Sequence, residues 1–393
     1  MNILILQSKA FPHRANSFYY FYTQLTEWLT AHGAESRLFF CYLRVDDSGV
    51  ENGLHLPDDY EGFYTPRNIE AAWTYIAEKR IDVILDYSHI ITGDTRRFFL
   101  EIRRRNPQVK LFTMIHNCPK HTTQLKAYTL PQLKLKDAHG LKGSFQWMFP
   151  RLYLFLLKRV ESYQNISAYN TMDEIVLLSP SYIPEFRQLI GKKDASRLSA
   201  IPNAIKPVES NIPIEQKKKE IIFVGRFDSE KGLPKLLKIW EMVQDELPEW
   251  NLIMVGDGGK YKECAQMIAD KKLKRVQLTG YRMSIPYIDR ASILCLTSVI
   301  EGLPTVFIEA MSLGVVPIGF DSFRAIYDMI DNEKTGIIIR NNDYKAYAKA
   351  LIRLATDDAY RQQIAAAAKQ AGRYDIERIG PFWLEAFRKH AII

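Results

Sequence analysis

The chain has 393 residues, 47% of them hydrophobic and 25% charged. That length exceeds one ordinary hydrophobic core and points to two domains of about 100–200 residues each. The formal net charge of +8 suits anionic partners such as nucleotide diphosphates or anionic lipid surfaces; nucleic acid is disfavoured, because no zinc-knuckle spacing, RNA-binding signature or basic heptad helix is present.

The chain opens on an apolar strand, Ile3–Leu6. It is too short and too early for the apolar stretch of a signal peptide, and no later run approaches the roughly 20 apolar residues that span a bilayer. The expected location is the cytoplasm, with any membrane contact at the inner face. Cys41, Cys118, Cys264 and Cys295 lie far apart with no paired spacing, and Cys41 and Cys295 fall in apolar strand-like runs where a buried reduced thiol is expected, which suits a reducing compartment.

Further buried strands are expected at Leu38–Leu43, Val83–Leu85, Leu111–Ile115 and Glu174–Leu178, with amphipathic helical stretches at Ser17–Ala31, Ile69–Lys79 and Thr95–Arg104. Alternation of this kind builds a parallel sheet covered by helices on both faces. The pattern restarts after Ile201-Pro202-Asn203. New strands are expected at Ile221–Val224, Leu252–Val255, Val276–Thr279, Ile293–Leu296, Val315–Ile318 and Gly336–Ile339, and Gln216-Lys217-Lys218-Lys219-Glu220 is expected to be a solvated link before the first of them. The predicted fold class is α/β, with two doubly wound Rossmann-like domains facing across a cleft: 1–205, 206–372, and a helical tail over 373–393 expected to pack back on the first. Ligands of such sheets bind at the carboxyl ends of the strands.

Two segments carry candidate chemistry. In Ile221-Ile222-Phe223-Val224-Gly225-Arg226-Phe227-Asp228-Ser229-Glu230-Lys231-Gly232 a strand ends at a glycine, a cation follows, and a second cation precedes a helix with Pro234 in its first turn. Free N–H groups, the helix dipole and two positive charges would attract a diphosphate. Two solvated cations in a strand–helix loop would read the same way. The second segment runs from Thr297 to Met311. Its helix is apolar nearly all round except for Glu309, and Glu301 stands before it with seven residues between the two acids. A buried carboxylate needs donors; sugar hydroxyls would serve, and so would a neighbouring Arg or Lys.

At these residues the sequence resembles glycosyltransferase family 4, which has the two-domain GT-B architecture and transfers sugar with retention of configuration. Val255-Gly256-Asp257-Gly258, Thr279-Gly280-Tyr281, Ser298 before Glu301, and Ala310 to Ile318 fit as well. The resemblance implies that Arg226 and Lys231 hold the donor diphosphate and stabilise it as it leaves, with Gly225 at the strand end. It implies that Glu309 binds ribose hydroxyls, that Glu301 contacts the transferred sugar, and that N–H groups of Gly302, Leu303 and Thr305 face the donor. Tyr281 falls in the segment that contacts the base. In the first half, Thr113-Met114-Ile115-His116-Asn117 resembles the family strand that ends in His, so His116 would bond the transferred sugar; a structural His fits the pattern too. Where the family usually has two glycines at the first helix, this chain reads Arg14-Ala15-Asn16-Ser17, which leaves Asn16 and Ser17 as acceptor-side candidates.

The implied partners are a nucleotide-sugar donor and a glycan or lipid-linked acceptor of polysaccharide assembly, with no cofactor and no metal. Residues 119–160 interleave Lys and Arg with aromatic and aliphatic side chains and hold almost no acid, a mixture suited to peripheral contact with an anionic membrane; a helix packed in the first domain with solvated flanks is the plainer alternative. A GT-B nucleotide-sugar epimerase and a non-catalytic nucleotide-sugar-binding protein are the competing functions. A nicotinamide-dependent oxidoreductase fits poorly, because the first strand lacks the Gly-x-Gly-x-x-Gly turn.

Overall fold

The protein is described from a computed structural model, which covers residues 1–9, 17–44, 53–58, 62–87, 91–132, 140–192, 194–205, 208–371 and 374–393. The chain divides into two compact units: Met1–Lys120 with Phe155–Lys206 and Tyr374–Ile393, and His121–Leu154 with Pro207–Arg373.

The first unit is built on β1 (Asn2–Lys9), β2 (Arg37–Arg44), β3 (Gly53–His55), β4 (Val83–Asp86), β5 (Lys110–Ile115), β6 (Glu174–Leu177) and β7 (Leu198–Ala200). They form one parallel sheet in the order β3-β2-β1-β4-β5-β6-β7. β4 and β6 are buried along their whole length and β5 along its middle four residues, which is why they appear in the sequence as apolar runs rather than alternating ones. The two short edge strands, β3 (Gly-Leu-His) and β7 (Leu-Ser-Ala), escape the sequence reading because each holds a single large apolar residue and so forms no apolar run. The tail helix Ile376–Lys389 packs on this unit. Its Gly380 lies flat on the Trp28 ring, where a Cβ would come within 2.4 Å of a ring carbon, and Trp28 donates to Glu377 at 3.0 Å. Ile379, Trp383 and Phe387 are buried.

The second unit holds β8 (Lys218–Val224), β9 (Asn251–Val255), β10 (Val276–Leu278), β11 (Ala291–Leu296), β12 (Val316–Phe320) and β13 (Ile337–Ile339), a parallel sheet in the order β10-β9-β8-β11-β12-β13. Its core gathers Phe223, Phe227, Leu236, Trp240, Met254, Ile293, Cys295 and Tyr347. The lysine-rich run expected as a link instead begins β8. Lys218 and Lys219 stay exposed, while Glu220 is buried against the Arg290 guanidinium at 2.8 Å. Residues 121–154, read from the sequence as part of the first domain, cluster with this second unit. They include the helices His121–Thr129 and Gly140–Met148; the division falls within the long helix Pro150–Thr171.

In each sheet the strand order reverses once, between β1 and β4 in the first and between β8 and β11 in the second. At such a reversal the loops leave to opposite sides and open a crevice at the carboxyl edge. All four cysteines are buried free thiols. Among the described residues no helix is long and apolar enough to cross a membrane.

Candidate functional site

The two segments singled out in the sequence emerge side by side at the reversal of the second sheet. β8 and β11 are neighbours, with Ile221 opposite Ile293 and Ile222 opposite Leu294, so the loops that follow Val224 and Leu296 start next to each other. The first loop is anchored from within. Gly225 donates its N–H to the Val255 carbonyl at 3.0 Å, Phe227 donates to the Asp257 carbonyl at 2.8 Å, and the Phe227 side chain is buried. Asp228 then caps a 3-10 turn, Ser229–Lys231, accepting from the Glu230 N–H.

Gly232 ends that turn with φ +60, and a Cβ there would lie 2.2 Å from the Thr297 carbonyl oxygen. Both the left-handed backbone and the lack of room require glycine. The closeness has a use. The Thr297 hydroxyl donates to the carbonyls of Lys231 and Gly232, and the Val299 N–H donates to the Glu230 carbonyl at 2.7 Å. Three bonds thus stitch the two loops into one surface.

On that surface Lys231 donates from Nζ to Oε1 of Glu301 at 2.7 Å, and the Ser298 hydroxyl donates to the same oxygen at 2.7 Å. The pair is sheltered, with side chains 19% and 11% exposed. Arg226 stands out from it, 77% exposed, 3.2 Å from Asp228 and 3.8 Å from Glu230. His121 lies 3.2 Å from the other oxygen of Glu230. The Glu230 carboxyl is held below the usual range, first by its hydrogen bond with His121 and then by the charges of His121, Arg226 and Lys231.

Glu309 belongs to the helix Thr305–Ser312, in which Phe307, Ile308, Ala310 and Met311 are buried. Burial pushes its carboxyl above the ordinary value. No Arg, Lys or other hydrogen-bond partner for that carboxylate is found among the described residues, so the internal ion pair considered from the sequence is not seen. Gly302 and Leu303 are buried just before this helix, and Thr305 begins it half-buried. Tyr281 is 78% exposed in the loop after β10, beside the point where the Gly256 N–H donates to the Gly280 carbonyl.

The structure therefore joins Lys231 and Glu301 directly, and Arg226 to them through the Glu230 turn. His116 belongs to the first unit, at the end of β5, its ring 4.1 Å from that of Tyr87. Ser17 opens the helix Ser17–Ala31, and Asn16 lies outside the described residues. Sequence reasoning passed over Glu230 and His121. Glu230 carried a signal, being an acid set between the two cations of an anion-binding loop; His121 carried none, since its contact spans more than a hundred residues. Among the described residues no group of three or more His, Cys, Asp or Glu side chains gathers as a metal site would require. This edge gathers two cations at a helix start, an arrangement that suits an anion, with the Glu301 carboxylate held against one of them.

Residues 206–371 match the family model of glycosyl transferases group 1. The second domain is of the group 1 glycosyl transferase type. The chain is 27% identical over 224 residues to an uncharacterized glycosyltransferase of Haemophilus influenzae, covering 55% of this chain and 61% of the relative. It is 28% identical over 173 residues, 43% of this chain and 48% of the relative, to a Campylobacter jejuni alpha-1,4-N-acetyl-D-galactosaminyltransferase named for an undecaprenol-linked acceptor. The chain thus spans about half the length of the curated relatives it matches. Among solved structures, sucrose-phosphate synthase of Thermosynechococcus elongatus aligns with TM-score 0.72 at 16% identity over 99% of this chain and 98% of that one. Anabaena HepE in complex with UDP and glucose aligns with TM-score 0.69 at 15% identity over 99% of both. At that identity the likeness establishes the fold alone, two parallel-sheet domains of the GT-B type.

Proposed function

We propose that the protein is a retaining hexosyltransferase that moves a sugar from a nucleotide diphosphate donor to a glycan or lipid-linked acceptor in the assembly of a bacterial polysaccharide, on the cytoplasmic side. The observation that carries this reading is the Lys231–Glu301 pair at the strand reversal of a group 1 glycosyl transferase domain. The relative named for an undecaprenol-linked acceptor and the fold neighbour with UDP and glucose support it.

In this reading Lys231 and Arg226 hold the diphosphate. Negative charge grows there as the glycosidic bond breaks, and preorganised cations stabilise it most in the transition state. In this reading those two cations replace a metal ion and no cofactor takes part. A donor that draws Lys231 away from Glu301 frees that carboxylate for sugar hydroxyls, while Glu309, half-buried and with no hydrogen-bond partner among the described residues, accepts from the ribose. Gly302, Leu303 and Thr305 add backbone donors, Gly225 lets the phosphates approach the strand end, and Tyr281 borders the base. In the same reading His116 would be a contact of the transferred sugar, and Asn16 and Ser17 contacts of the acceptor. A lipid-linked acceptor would bring the protein to an anionic membrane through residues 119–160.

The test is a panel of nucleotide sugars scored by thermal stabilisation, since a ligand that binds only the folded state raises the melting point. The stabilising donor is then incubated with acceptors and the anomeric configuration of the product read by NMR. An inverted product removes the retaining mechanism. Consumption of donor with no acceptor, giving an epimerised nucleotide sugar, replaces the transferase reading altogether.

A further inference from the structure

The helix Pro150–Thr171 turns its apolar side to water. Leu152, Phe155, Leu156, Val160 and Tyr163 are 48%, 58%, 45%, 51% and 61% exposed, and their spacing of i, i+3, i+4, i+8 and i+11 puts them on one face. Trp147, Met148 and Phe149, just before the helix, are also exposed. Glu161, on the opposite face, is buried, as is Tyr153 at the edge of the stripe. An ordinary surface helix has the reverse arrangement, and a contiguous apolar patch of this size marks an interaction surface.

Charge says what kind. Arg151, Lys158 and Arg159 are exposed within or beside the stripe, and the Arg159 guanidinium sits 6.0 Å from the Phe155 ring. Between residues 140 and 171 the one acid is Glu161, and it is on the buried side. The exposed face is thus apolar and cationic, with no acid of its own. A second copy docked symmetrically would oppose these cations to themselves. A bilayer offers acyl chains to the stripe and anionic headgroups to the cations.

We propose that this face docks on an anionic lipid surface, with the helix lying in the plane of the membrane. The face is narrower than residues 119–160 and extends beyond them. Of the side chains the sequence suggested, Leu130 and Tyr153 are buried, Tyr128 is half-buried, and Leu133, Lys134 and Lys136 lie outside the described residues. The proposal deepens the proposed function, resting on its lipid-linked acceptor for a purpose, yet docking is measured without any sugar chemistry.

The full chain is sedimented with vesicles of phosphatidylcholine mixed with phosphatidylglycerol, and with phosphatidylcholine alone, and is run without lipid by analytical ultracentrifugation. Binding to the anionic vesicles is expected. It should fall about tenfold in Phe155→Glu/Leu156→Glu, and comparably in Arg151→Glu/Lys158→Glu/Arg159→Glu, which leaves the apolar stripe intact and isolates the headgroup contribution. Failure of the unaltered protein to bind anionic vesicles overturns the proposal, as does undiminished binding by both variants. A lipid-free dimer that either variant breaks overturns it in favour of a second copy. Nucleotide-sugar binding, read by calorimetry, should be equal in all three proteins. Its absence from the unaltered protein, with vesicle binding retained, would count against the transferase reading and not against membrane docking.

Discussion

Lys231 and Glu301 stand 70 residues apart in the chain and 2.7 Å apart in space. The contact exists because β8 and β11 are adjacent although two strands, β9 and β10, intervene in sequence. A sheltered ion pair of this kind is not a strong source of stability, since desolvation offsets much of the attraction. Its value lies in holding a cation and a carboxylate in readiness at one edge.

Removal of one partner should therefore hurt the fold more than removal of both. Lys231→Met strands the Glu301 carboxylate and is expected to cost about 3 kcal/mol in urea unfolding. The double variant Lys231→Met/Glu301→Gln should recover most of that. Neither should transfer sugar at a normal rate. Equal stability losses in the single and double variants would show that the pair is not coupled.

Arg226 is exposed, so its loss should leave stability unchanged. Arg226→Ala is expected to lower kcat/KM by about a hundredfold, the usual effect of losing one preorganised charge at a transition state. Initial rates with the donor found by thermal stabilisation measure it, and near-normal turnover would remove Arg226 from the diphosphate site.

Glu309 makes stability depend on pH in a known direction. Burial raises its folded-state value above the unfolded one, so the folded chain favours the protonated acid. Stability linked to this group is full below the unfolded value and is lost as pH rises through the folded one. Glu309→Gln keeps the shape without the charge. The variant without ligand should melt higher than the unaltered protein at pH 7.5, with the gap narrowing towards pH 4, and should bind nucleotide sugar about tenfold more weakly by calorimetry. A variant that melts lower at pH 7.5 would mean the carboxylate has a partner.

The His121–Glu230 contact pins the helix His121–Thr129 to the candidate site. Glu230 is depressed by that contact, so its contribution is present above its unfolded value and lost as pH falls through the folded one. A partly exposed pair is worth at most about 1 kcal/mol. His121→Ala should speed amide exchange in residues 121–129 by up to about fivefold at pH 6, with the body of the second sheet unaffected. Hydrogen-exchange mass spectrometry decides it.

Gly232→Ala tests the stitching of the two loops. The added methyl group meets the Thr297 carbonyl in a left-handed turn, so the loops must part. A loss of about 2 kcal/mol is expected from strain, together with loss of nucleotide-sugar binding. Gly259→Ala, where a Cβ meets nothing within 4 Å, is the control and should be silent.

The strands that build both sheets were legible because burial on two faces leaves an apolar run that local sequence cannot disguise. The site motifs were legible for a related reason: a loop between a buried strand and a helix has few residues in which to place its cations and glycines. β3 and β7 were hidden because each holds a single large apolar residue, and the start of β8 by its lysines, which point to water from a strand whose other end is core. The assignment of 121–154 was hidden because composition does not say which of two sheets a polar helix will meet.

The sequence alone determined the alternation of strand and helix, hence two parallel sheets, and the identity of the charged residues at their edges. Tertiary structure alone decided strand order, and with it that the loops after Val224 and Leu296 share one edge, that Lys231 meets Glu301, and that the apolar side of Pro150–Thr171 faces outward. The reason is physical. Periodicity and burial act over a few residues, whereas pairing across a sheet and the choice of a helix's inner face are settled by contacts between segments distant along the chain.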